Sequence, residues 1–225
     1  MFVVIFEVQP RQEHLDDYLE LAKFLKPKLE KVDGFIDNER FRSKRTEGRL
    51  LSLSTWRDEK AVIRWRTVAA HHDAQEKGRG GIFSDYHLRV GEITADTQTP
   101  AGQSLHQQRF DATEVGMSAV VTISEFTPDS GEAPDSADVS TALGLLKPDA
   151  SGIIDQDMFE SIYRPGKLLL LISWRDGAAA QQWQPKSIAG HEVRHRHVRV
   201  IRDYGMFDRR EAPQYYPEII RDVEP

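Results

Sequence analysis

The chain is written twice. Gly34, Ile36, Asp37, Phe41, Ser43, Gly48, Leu50, Leu51, Leu53, Trp56, Arg57, Asp58, Ala61 and Trp65 return as Gly152, Ile154, Asp155, Phe159, Ser161, Gly166, Leu168, Leu169, Leu171, Trp174, Arg175, Asp176, Ala179 and Trp183, at a constant offset of 118 positions (183 − 65). Glu7 and Pro10 return as Glu125 and Pro128 at the same offset. A repeat this long is neither a propeller blade nor a solenoid unit. It is a small domain duplicated in tandem, which predicts a first unit over 1–95, a linker over 96–116, a second unit over 117–203 and a C-terminal arm over 204–225.

Each copy reads in one order. Residues 2–9 are β-branched and aromatic, as in a strand. Residues 11–31 carry Leu15, Tyr18, Leu19, Ala22, Leu25 and Leu29 at helical spacing, with Pro27 late in that helix, where it ends or kinks it. Gly34 opens a second strand to about residue 45. The turn Thr46-Glu47-Gly48 leads to a third over 49–56. Asp58 stands where a side-chain carboxylate can cap a second helix. That helix carries Ala61, Val62, Trp65, Ala69 and His72 on or near one face. Tyr86 to Ile93 closes the unit as a fourth strand.

The order β-α-β-β-α-β is a ferredoxin-like α+β unit. Two helices cover one face of its sheet and leave the other bare. LLSLSTW and LLLLISW are apolar on both faces, as in strands covered on both sides. Two such sheets facing each other predict an intramolecular barrel with helices outside.

The copies differ. The first helix of copy two (136–147) is short and follows TPDSGEAPDS, and its second helix is interrupted by Pro185. Aligning His87 with His197 makes copy two eight residues shorter between its helix Trp and last strand. The tail carries Phe207, Pro213, Tyr215, Tyr216 and Pro217, an arm for packing on the barrel or on a second chain in a homodimer.

Composition excludes several classes. With no cysteine there is no disulfide or thiolate chemistry. No apolar run approaches the roughly 18 to 20 residues of a membrane helix. No leader pattern precedes FVVIFEV, so a cytoplasmic location is expected. A net charge of −6 argues against a nucleic-acid partner. There is no Gly-rich dinucleotide motif and no P-loop.

The strings LLSLSTWRDEKAVIRWR, AHHDAQEKGR and DYHLRV, with GIIDQDMFESIYRPGKLLLLISWRDGAAAQQW in the second half, resemble the antibiotic biosynthesis monooxygenase (ABM) superfamily. The resemblance implies a dimeric α/β barrel, with a pocket in each unit between the sheet and the second helix. It also implies a monooxygenase that needs no metal or flavin, acting with O2 on a small aromatic, quinol or polyketide-like substrate. Such a site must supply an apolar slot, a proton acceptor and donors for developing charge. A heme-degrading branch is the alternative. There, an axial His about ten residues after the helix Trp and a first-strand Asn are implied, where this chain has Gln75 and Glu7. A non-catalytic ligand-binding or protein-interaction barrel is a third reading.

Candidate catalytic residues are Trp65, His72, Tyr86 and Arg89. Trp65 and His72 are seven residues apart, nearly two helical turns, and so share a face, whereas His71 points to solvent. Tyr86 and Arg89, in the fourth strand, are candidates to orient a phenolate. Candidate substrate contacts are Glu7 and its copy Glu125, as carboxylates whose pKa burial would raise, with Ser52, Ser54 and Trp183. Trp56-Arg57-Asp58 and its copy read as a strand-to-helix corner. His191 and His195, one helical turn apart, have metal-ligand spacing but lack an acidic partner and stand among arginines, so no metal is expected.

Overall fold

The strand patterns of both copies become strands. The computed structural model describes residues 1–129, 152–187, 190–217 and 219. The first copy supplies β1 (Phe2–Pro10), β2 (Phe35–Ser43), β3 (Leu50–Trp56) and β4 (Phe83–Asp96). The second supplies β5 (Val120–Pro128), β6 (Ile153–Ser161), β7 (Leu168–Trp174) and β8 (His191–Gly205). The sheet closes into a barrel in the order β1-β3-β2-β6-β7-β5-β8-β4. Each copy contributes a ferredoxin-like sheet, β4-β1-β3-β2 or β8-β5-β7-β6. A long antiparallel seam, β4 with β8, and a short one, β2 with β6, join them.

Alternation along each strand divides the apolar residues between two cores. Met1, Val3, Ile5, Phe41, Leu51, Leu53 and Ile93 point into the barrel, against Val121, Ile123, Phe159, Leu169, Leu171, Val198 and Val200. The other face of β1, β3 and β4 carries Phe2, Trp56 and Val90 toward the helices. This explains why LLSLSTW and LLLLISW alternate so little.

Strand register corrects the alignment of the two last strands. Ile5 and Glu7 lie opposite Arg89 and His87, whereas Ile123 and Glu125 lie opposite Arg196 and Arg194. Arg89 therefore matches Arg196, an offset of 107 (196 − 89), and His87 matches Arg194. His197 is not the counterpart of His87; it lies opposite Thr122. Copy two is eleven residues shorter here (118 − 107), not eight.

The helices depart from the pattern in one consequential place. A 3-10 turn, Gln12–His14, leads into α1 (Leu15–Leu29), with Pro27 in its last turn. The expected second helix is two, α2 (Glu59–Arg66) and α3 (Ala69–Lys77). Thr67 donates its hydroxyl back to the carbonyls of Ile63 (3.0 Å) and Arg64 (3.1 Å), and Val68 is extended. Such back-bonding by a β-branched residue competes with helix continuation. In copy two, α4 (Gly177–Gln182) ends before Pro185, and the helix expected over 136–147 lies outside the described residues.

The corner before each of these helices is built alike. Asp58 Oδ1 accepts from the Ala61 amide and Asp176 Oδ1 from the Ala179 amide, both at 2.8 Å. The linker follows the barrel: Thr113 N–H donates to the Val200 carbonyl at 2.8 Å, and Leu105 packs on the interior core. No helix among the described residues is long and apolar enough to cross a membrane.

Candidate functional site

A cavity of about 190 Å³ lies outside the barrel in the first unit, between the sheet and its helices. Val4 and Phe6 from β1 and Leu88 and Val90 from β4 form its floor; Ala22 and Leu25 from α1, and Val62 and Trp65 from α2, form its walls. The arm roofs it with Pro213, Gln214 and Tyr216. Met206 N–H donates to the Tyr86 carbonyl at 3.1 Å, and Gln214 and Tyr216 both donate to Gln75 Oε1, at 3.3 and 3.2 Å. The arm thus packs on its own chain, over the cavity.

Because the helix breaks at Thr67-Val68, the face shared with Trp65 passes to His71. The His71 ring stacks on the Trp65 indole with centroids 4.3 Å apart, and its Nδ1 lies 3.1 Å from the Trp65 carbonyl oxygen. A carbonyl only accepts, so Nδ1 carries the proton and Nε2 keeps its lone pair. Burial pushes the imidazole down to about 4, so it is neutral at physiological pH. His72, expected in this position, is turned outward with its side chain 46% exposed. It stacks on Tyr216 at 5.8 Å and does not line the cavity.

Tyr86 lines the cavity and Arg89 does not. Three residues apart on a strand, they face opposite ways. Arg89 lies inside the barrel, donating to Ser173 Oγ at 2.9 Å and to the Glu7 carboxylate. Glu7 also points inward. Burial alone would raise its pKa, but Arg89, His87 and Arg49 bring it down to about 2. Glu125 repeats the arrangement with Arg196 and Lys167, which hold it below the usual carboxylate range against the effect of burial. Both are paired, ionised and remote from the cavity, so neither has the raised pKa expected of a buried base.

Ser52 and Ser54 do line the cavity, each already bonded. Ser52 Oγ accepts from Asn38 Nδ2 at 3.0 Å and Ser54 Oγ from Trp56 Nε1 at 2.9 Å. Trp183 packs on the outer face of the second unit, against Trp174 (5.8 Å) and His195 (5.5 Å). Its neighbours His195 and His197 approach Nε2 to Nε2 at 3.1 Å, and His195 Nδ1 meets Ser124 Oγ at 2.8 Å. His191 and His195 both lie in β8, so the helical spacing expected of them does not arise. Among the described residues no cluster of three or more His, Cys, Asp or Glu side chains could hold a metal.

The cavity also gathers residues that spacing does not single out. Arg40, Arg66, Arg79, Arg202 and Arg209 line it, with Tyr18 and Tyr204. Burial pushes the Tyr204 phenol up to about 12 and the Tyr18 phenol upward, so both remain protonated donors. Arg79 and Arg209 each donate an Nη1 hydrogen to Tyr86 Oη, at 2.9 and 2.6 Å. These side chains come from α1, β2, α2, the turn after α3, β4, β8 and the arm, so only the folded chain assembles them.

A family model described as antibiotic biosynthesis monooxygenase matches residues 1–77. The chain is 43% identical over 221 residues to a protein of Pyricularia oryzae named Jasmonate monooxygenase ABM, a match covering 96% of this chain and 99% of that one. A crystal structure of an aldoxime dehydratase covers 89% of this chain and 81% of its own with a TM-score of 0.56 and 10% identity, a likeness of fold alone. A crystal structure of an antibiotic biosynthesis monooxygenase covers 40% of this chain and 95% of its own, with a TM-score of 0.37 and 17% identity. Identity at this level along nearly the whole of both the chain and its Pyricularia relative places the chain in the antibiotic biosynthesis monooxygenase family, a family of monooxygenases.

Proposed function

We propose that the first unit's cavity oxygenates a small, largely apolar cyclic substrate of the jasmonate type, and that the electrons for O2 come from the substrate rather than from a resident metal or flavin. The observation that carries this reading is the stacked Trp65–His71 pair against the apolar floor and walls of the cavity, with an unprotonated Nε2. A ring-bearing substrate lies against Trp65. As negative charge develops on the substrate beside it, the His71 imidazole, depressed by burial at rest, becomes more basic and accepts a proton from a phenol, or from the carbon beside a ketone such as that of jasmonate's cyclopentanone, leaving an electron-rich anion. The protonated donors around the cavity stabilise the charge. The Pyricularia relative's name supports the jasmonate class.

Electron balance makes the reading testable. Turning a methylene into a carbonyl, CH2 + O2 → C=O + H2O, uses all four oxidising equivalents of O2. Forming an alcohol, CH + O2 + 2e⁻ + 2H⁺ → COH + H2O, needs a separate two-electron reductant. The test is oxygen uptake by metal-free protein with jasmonic acid, with and without added reductant, followed by product analysis under ¹⁸O2. Uptake without reductant, with one labelled carbonyl oxygen retained, supports the proposal. Uptake only with reductant, giving an alcohol, removes the substrate as electron source. No uptake under either condition removes jasmonate as substrate.

A further inference from the structure

The chain carries a net charge of −6, yet its cavity is strongly cationic. Five arginines line it, with Glu59 as the acidic lining residue, and both Glu59 oxygens accept from Arg109 at 2.8 Å. Among the described residues, no carboxylate forms an ion pair with Arg40, Arg66, Arg79, Arg202 or Arg209; every ion pair found involves other bases. Among the described residues the buried Nε atoms of Arg40 and Arg66 have no hydrogen-bond partner, while the rest of the Arg40 guanidinium meets the Tyr18 and Tyr163 phenols.

Two of these cations converge. Arg79 and Arg209 donate to the same oxygen, Tyr86 Oη, and both lie over the Tyr216 ring, at 5.3 and 5.2 Å from its centroid. Tyr86 Oη accepts both hydrogen bonds, and no carboxylate among the described residues pairs with either guanidinium. Two guanidiniums this close in a partly dry site repel one another, and the repulsion is relieved by an anion placed between them. Among the described residues Arg209 gives two of its N–H groups, to Tyr86 Oη and the Gln214 carbonyl (2.9 Å), of the five a guanidinium owns. That fork suits the two oxygens of a carboxylate.

We infer that the Arg79–Tyr86–Arg209 corner is a carboxylate anchor, which binds the acid group of the substrate and directs its apolar remainder along the rest of the cavity. This rests on the cavity being the substrate site, as proposed above. One of its two cations comes from the arm, so the arm is part of the binding site and not merely a cover. Acidity becomes a selection rule: the ionised acid enters, and its neutral ester is discriminated against.

The test is equilibrium binding by isothermal titration calorimetry, with jasmonic acid and its methyl ester as matched probes, on the full chain without turnover. The acid is expected to bind at least about tenfold more tightly than the ester, the gain of one charge-assisted pair. Arg209→Met should bring that ratio close to one, and Arg209→Lys should restore part of it. Trp65→Ala should weaken acid and ester alike. Inorganic phosphate and acetate serve as competitors. If they displace the acid at low millimolar concentration while the ester is unaffected, the corner is a general anion site, and the claim that it recognises the substrate's acid group falls. Equal binding of acid and ester, absence of saturable acid binding, or a ratio unchanged in Arg209→Met overturns the anchor. Oxygen uptake is a separate readout. Discrimination without oxygenation preserves the anchor and removes the oxygenase reading for jasmonate, whereas equal oxygenation of acid and ester does the reverse.

Discussion

His71 and His72 are neighbours in sequence with opposite environments, and the difference is set about one turn earlier by the Thr67 hydroxyl. His71→Ala is expected to lower kcat about a hundredfold, the usual scale for loss of a general base; His72→Ala, which removes a ring outside the cavity and its contact with Tyr216, should lower it far less. Steady-state kinetics on the two variants check this. Burial leaves a second signature. The imidazoles of His71 and His195 are both pushed down to about 4, from an ordinary value of 6.5. Between those values the unfolded chain binds protons that the folded protein refuses, so stability is full above pH 6.5 and falls as pH drops toward 4. His87, raised by Asp203 and Glu7 despite burial, acts in the opposite sense, its contribution being lost as pH rises through its folded value. Urea midpoints from pH 7 to 4.5 should decline, and less steeply in His71→Phe. At this scale the sequence was partly legible. The opposite facing of Tyr86 and Arg89 was available from strand parity alone. The exchange of His72 for His71 was not, because it depends on whether a Thr hydroxyl bonds back to its own helix.

At the scale of elements, the duplicated signature marks the strand-to-helix corner. Gly34 and Gly152 sit at φ of 89° and 78°, and a Cβ on either would lie 2.6 Å from the Cβ of Ala61 or Ala179. The repeat preserves both the glycine and the alanine because neither can grow. Gly34→Ala and Gly152→Ala are each expected to cost about 1–3 kcal/mol, from backbone strain and crowding. Their effects should add in the double variant, because the corners belong to different copies. Chemical denaturation of the two single variants and the double measures both points. Element order, hairpins and helix caps were readable because periodicity and capping are local. The register of β8 was not. The chain between α4 and β8 is shortened, and pairing rather than residue identity sets which His or Arg faces Glu125.

For the whole molecule, the duplication performs what two separate chains would otherwise do. The inward faces of the two sheets cover one another around Met1, Val3, Ile5 and their second-copy counterparts, and each sheet ends at a strand needing the other copy. A fragment of residues 1–97 would expose that inward face and the free edges of β2 and β4. It should therefore self-associate, sedimenting at twice its mass, or fail to fold, and not persist as a monomer. The barrel could be foreseen from the two-faced apolar strands. The arm's role could not, since its aromatics fit a partner chain as well as its own first unit. The arm instead meets α3, β4 and the turn between them, which joins the two ends of the sequence at one cavity.

That convergence is tested most directly by comparing oxygen uptake with jasmonic acid in the wild-type chain, Trp65→Ala and Trp183→Ala, under whichever reductant condition supports turnover. Chemistry in the first unit predicts that uptake falls at least about tenfold in Trp65→Ala and stays near the wild-type rate in Trp183→Ala, with all three proteins folded. Uptake that survives Trp65→Ala and is lost in Trp183→Ala would place the reaction in the second unit and contradict this assignment.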